Sequence, residues 1–122
     1  MNREILFRGI RVDNGEWVYG DLVHDAISAY STMMKVGIRQ GGCYPDEVKP
    51  ETVGQYTGLT DRNGVKIFEG DKLKSPNAIV NIVVFENSTW GVKYRLGKMG
   101  GLNPFSNMNL LYWEVCGNIH TP

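Results

Sequence analysis

The segment Gly54–Lys74, reading GQYTGLTDRNGVKIFEGDKLK, constrains the fold of this chain more than any other. Two β-type runs, Thr52–Thr57 and Val65–Phe68, flank Asp61-Arg62-Asn63-Gly64, residues that tolerate positive φ and close tight turns. A second turn, Glu69-Gly70-Asp71, leads at once into a short run, Asp71–Ser75. Punctuation this dense leaves no length for a helix and calls for short, turn-connected strands.

The rest of the chain repeats the theme. Glu4–Arg11 alternates as a half-buried strand, Asp13-Asn14-Gly15 reads as a type I′ hairpin turn, and Glu16–His24 returns with Val18 and Leu22 on one face and Trp17 and Tyr19 on the other. Met33–Arg39 alternates with Met34, Val36 and Ile38 together. Gln40–Pro45 is a loop, and Pro50 closes off any helix before it. Ile79–Glu86 is nearly continuous in β-branched residues, as a strand buried on both faces would be. Asn87-Ser88 turns it into Thr89–Leu96. Leu102, Phe105 and Met108, at spacing three, suit a short 3₁₀ or α turn docked on the sheet. Leu110–His120 alternates as a last strand.

These strands predict an all-β fold in which an amino-terminal β meander, residues 1–60, packs on a carboxy-terminal small barrel, residues 61–122. A hydrophobic fraction of 42% supports a folded core. Thirteen basic residues balance thirteen acidic ones, so no global field attracts nucleic acid or an anionic membrane, and none opposes self-association. No apolar run approaches the roughly 18 residues of a spanning helix. The opening MNREILFRGI is charged from its second residue and lacks the apolar centre of a secretory signal, so the expected compartment is the cytoplasm, with both cysteines reduced.

Four blocks, RxxxFRG (Arg3, Phe7, Arg8, Gly9), GEWVYGDLV (Gly15–Val23), Glu51–Lys74 and EVCGNIH (Glu114–His120), occur in the order seen in the YopX family, and the chain resembles that family from first strand to last. The long block GQYTGLxDxNGxxIxEGD is the specific one. Cys116 stands where the family usually has Val or Ile, and is read as a buried apolar substitute. The resemblance implies a β-rich fold whose carboxy-terminal part is similar to an SH3-like barrel, a phage or prophage setting, and self-assembly into multimers. It implies no activity and no catalytic residues.

The residues themselves offer no reaction centre. Asp61, Glu69 and Asp71 lack the alternating spacing of a calcium loop, and Asp61 and Asp71 read as turn residues that accept backbone amides. Cys43, with His24, Asp25 and Asp46 near in sequence, lies on a Gly-Gly-Cys-Tyr-Pro loop unsuited to holding a thiolate. His24 and His120 stand too far apart in sequence to suggest zinc, and Gly41-Gly42 and Gly100-Gly101 lack the ending of a phosphate loop. No catalytic, cofactor or metal residues are assigned, and the chain is expected not to be an enzyme.

The expected function is therefore a non-enzymatic assembly or adaptor module that self-associates or binds a phage or host protein, with Trp17, Tyr19 or Trp113 and the sheet edges as anchors. The alternative is a small-barrel nucleic-acid-binding accessory protein whose phosphate contacts would be Lys72, Lys74, Lys93, Arg95 and Lys98. Against it, Trp90 and Tyr94 alternate with Lys93 and Arg95, the pattern of a half-buried strand with aromatics in and charges out.

Overall fold

The computed structural model describes residues 3–28, 31, 33–94 and 101–121. The chain divides into two compact units, residues 1–56 and 57–122. The described residues contain eleven short strands and three 3₁₀ turns, and the paired strands run antiparallel, so the all-β class is shown.

In the first unit, β1 (Phe7–Ile10), β2 (Trp17–Ile27), β3 (Met33–Arg39), β4 (Asp46–Glu47) and the start of β5 (Gly54–Thr60) follow the order β4-β3-β2-β1-β5. Alternation puts Val18, Val36 and Ile38 on the inner face, where they form one core with Val48, flanked by Phe7, Leu22 and Val53. The segment after β4 returns to the end of β1. Arg11 bridges Val48, the Val12 amide donates to the Glu47 carbonyl, and the Lys49 amide donates to the Ile10 carbonyl. Strand β4 therefore has neighbours on both sides.

Two local expectations change here. Of the Asp13-Asn14-Gly15 turn, Gly15 alone has positive φ, at 74°, so it is not a type I′ turn, which needs two such residues. The Arg11 amide instead donates to the Glu16 carbonyl across a four-residue loop. Pro50 begins a 3₁₀ turn, Pro50–Thr52, rather than ending a helix, because a first-turn proline has no amide bond to lose. Thr52 Oγ1 then accepts the buried Ile10 amide at 2.9 Å and donates to the Lys49 carbonyl at 2.6 Å.

In the second unit, the end of β5 lies beside β6 (Lys66–Phe68), with Thr57 Oγ1 donating to the Ile67 carbonyl. The other sheet has the order β10-β9-β8-β7-β11, from β7 (Asp71–Lys74), β8 (Val80–Glu86), β9 (Thr89–Tyr94), β10 (Asn103–Pro104) and β11 (Glu114–Asn118). Ile67, Leu73, Val83, Val92 and Phe105 form its core, with Trp90, Met108, Leu110, Trp113 and Val115 packed around them. The spacing-three motif thus docks through Phe105 and Met108, and a 3₁₀ turn, Phe105–Asn107, presents them.

The sheet is open: among the described residues no pairing joins β10 to β11, so the expected SH3-like closure is not seen. Strand β8 is not buried on both faces either. Val83 is buried in the core, Ile82 and Val84 on the opposite face are only half-buried, and Phe85, farther along the Val83 face, is half exposed and meets the Trp90 ring edge-on at 4.9 Å. A type I′ turn forms instead at Asn87-Ser88, with φ of 52° and 62°, joining β8 to β9.

Candidate functional site

The turn at Asp61 is a type I turn closed by a residue in the left-handed region. The Gly64 amide donates to the Asp61 carbonyl at 3.0 Å, the Asp61 amide to the Val65 carbonyl at 2.9 Å, and Gly64 has φ 78°. Ser75-Pro76-Asn77-Ala78 repeats this frame. The Ala78 amide donates to the Ser75 carbonyl, the Ser75 amide to the Ile79 carbonyl, and the Ile79 amide to Ser75 Oγ. Here the left-handed position is filled by Ala78, at φ 62°.

The two turns differ in what they hold. Asp61 is 6% exposed, and its carboxylate accepts three backbone amides: Asn63 at 2.8 Å and Val65 at 2.9 Å on Oδ1, and Val115 of β11 at 2.8 Å on Oδ2. Beside it the Arg62 amide donates to the Trp113 carbonyl at 3.0 Å. Burial pushes the Asp61 carboxyl upward, but the amides of Val115, Val65 and Asn63, with the Arg62 charge, outweigh it and hold the group below its ordinary value. Asp71, 2% exposed, accepts the Phe68 amide at 2.8 Å. Both acids serve backbone amides, as the turn reading expects.

The other candidates are dispersed. Cys43 is exposed on its loop. Cys116 is exposed too, correcting the buried reading: the register of β11 on β7 shifts between Val115 and Gly117, so the extra residue leaves the alternation and its Sγ lies 3.4 Å from the Lys72 carbonyl. Among the described residues no three His, Cys, Asp or Glu side chains gather as a metal site. No helix among them is long and apolar enough to cross a membrane.

Of the five residues proposed for nucleic acid, Arg95 and Lys98 lie outside the described residues. Lys72 and Lys93 flank Ile82 in one cross-strand row. Lys93 pairs with Glu86 at 2.8 Å, and Lys74 pairs with Glu114, directly opposite on β11, at 3.3 Å. Trp90 packs against the core cluster, as the alternation expects.

The aromatic anchors divide. Trp113 packs against the second core, and Trp17 carries the buried Arg8 guanidinium 4.4 Å above its ring, so the fold uses both. Tyr19 remains exposed. The outer end of the β2–β3 hairpin carries no sequence signal of its own. There Ile27, 55% exposed, stands directly opposite Met33, 61% exposed. A recess of about 330 Å³, lined by Val23, Ile27, Arg39, Cys43, Tyr44 and Pro45, adjoins them, and Tyr44 at its wall is 67% exposed. Met33 alternates with Met34, Val36 and Ile38 and so falls on the outer face of β3, and its pairing with Ile27 is what gathers the two apolar side chains there.

These features define a small all-β protein of two units whose best-organised polar groups hold its own backbone. The chain belongs to the YopX family: the family's profile, described as YopX protein, matches residues 6–122. The fold is similar to the crystal structure of protein EF1440 from Enterococcus faecalis, with a TM-score of 0.57 and 19% identity over 98% of this chain and 95% of that one. No curated protein matches the sequence.

Proposed function

We propose that this chain is a non-enzymatic assembly module, of the phage or prophage type and cytoplasmic, whose first partner is a second copy of itself bound at the outer end of the β2–β3 hairpin. The observation that carries the reading is the opposed pair Ile27 and Met33, both more than half exposed, with a recess at Ile27. Apolar side chains grouped in this way lose contact with water when a partner covers them.

Charge favours a second copy as that partner. Strand β2 carries Asp21 and Asp25 and no lysine or arginine, β3 carries Lys35 and Arg39 and no acid, and all four are exposed. A two-fold axis through the patch and parallel to the strands sets β2 of one copy against β3 of the other, so acid meets base around an apolar centre. Zero net charge adds no long-range repulsion.

Strand addition at a sheet edge suits this chain less well. Strand β10 is two residues long and ends in Pro104, the edge strand β6 is three residues long, β4 has neighbours on both sides, and β11 is held by Asp61 and Arg62. The reading as a nucleic-acid accessory gains no support, because two of its three described lysines sit on acids. The second unit is read as an SH3-like domain with an open seam between β10 and β11.

Light scattering tests the proposal. The wild-type protein should show a mass above the 13.7 kDa of one chain, and Ile27→Lys combined with Met33→Lys should return it to that value. A wild-type mass of 13.7 kDa at high concentration would overturn it.

A further inference from the structure

The outer edge of β11 carries backbone groups that would ordinarily receive another strand. The Trp113 carbonyl and the Val115 amide, two residues apart, both turn away from β7 toward the Asp61 turn, which takes each of them. The turn at Ser75–Ala78 shows that this grip is separable from turn formation. It has the same backbone hydrogen bonds, yet its second residue is Pro76, which has no amide to give. At the equivalent place the first turn has Arg62, whose amide reaches Trp113.

We infer that the Asp61–Gly64 turn is a guard on the β11 edge. Asp61 and Arg62 occupy the outward groups of Val115 and Trp113 and so prevent β11 from pairing with the β11 of a second copy. A carbonyl and an amide alternating along one edge are self-complementary in an antiparallel pair about a two-fold axis, which makes a second β11 the fitting occupant of the released edge. The bulge at Cys116 adds local twist that also disfavours pairing at this edge. The guard is distinct from the hairpin patch and does not depend on it.

Two substitutions open the guard and leave the turn. In Asp61→Asn, Oδ1 still accepts Asn63 and Val65, but an amide nitrogen now faces the Val115 amide, donor against donor. Arg62→Pro suits the second position of a type I turn, as Pro76 does, and puts ring carbon where the bond to Trp113 runs.

Both are examined in the Ile27→Lys, Met33→Lys background, so that association through the hairpin does not contribute. Asp61→Asn should accelerate exchange of the Val115 amide at least about tenfold, and in both variants the Leu73 and Val83 amides should keep their protection. Each should also add a species of twice the monomer mass in sedimentation. A core variant of matched stability, Val92→Ala, should remain monomeric. A monomer with an exposed Val115 amide would overturn the inference, and so would equal association by Val92→Ala or a general loss of protection across β7 and β8.

Discussion

The carboxylate of Asp61 accepts the amide of Val115 at 2.8 Å across 54 residues of sequence. One side chain thereby closes its own turn and fixes the last strand. Asp61→Ala removes all three amide contacts and leaves buried donors unsatisfied, so it should cost about 3 kcal/mol. Urea unfolding should show a lower midpoint with an unchanged slope.

The same carboxylate sets a pH dependence. Its carboxyl lies below the ordinary value of 3.8, because the amide donors outweigh burial. The unfolded chain therefore binds the proton more tightly than the folded one. The stabilisation is complete above pH 3.8 and is lost as pH falls below it through the folded value. Asp61→Asn removes this contribution. Between pH 5 and pH 3 its stability should fall less steeply than that of the wild type, measured by thermal unfolding at several pH values.

Gly64 and Ala78 occupy the same left-handed place in two turns of one kind. A Cβ at positive φ is strained, so Ala78→Gly should stabilise the protein by about 1 kcal/mol and Gly64→Ala should destabilise it by about the same. Chemical denaturation of the two single variants reads both signs.

Arg8 over the Trp17 ring explains why an arginine and a tryptophan stand in the first two sequence blocks. Trp17→Leu keeps apolar bulk and removes the ring face, and should cost about 1–2 kcal/mol. A midpoint shift with no change in secondary structure by circular dichroism would check this.

The legible parts of this fold were those encoded locally. Alternation around Val18, and through Met34, Val36 and Ile38, marked the inner face of the first unit, and all four are buried. Asp61-Arg62-Asn63-Gly64 announced its turn because each residue suits its place in it. The missed features depend on partners distant in sequence or on small breaks of register. Nothing near Asp61 signals Val115. The bulge at Cys116 reverses the exposure that simple alternation assigns. Leu110–Tyr112 form a 3₁₀ turn in place of strand because the Asn109 side chain accepts the Leu111 amide at 3.1 Å. The hairpin patch was illegible for another reason: that Ile27 and Met33 stand opposite each other depends on the register of β2 on β3, which the sequence does not announce.

The central claim is that this hairpin end joins copies of the chain. A methyl NMR dilution series on the wild-type protein tests it most directly, since it reads both association and its location. The Ile27 and Met33 methyl signals should shift with concentration while those of the buried Ile67 and Val83 stay fixed. Signals of Ile27 and Met33 that do not move at any concentration, in a protein whose mass stays at 13.7 kDa, would contradict the account.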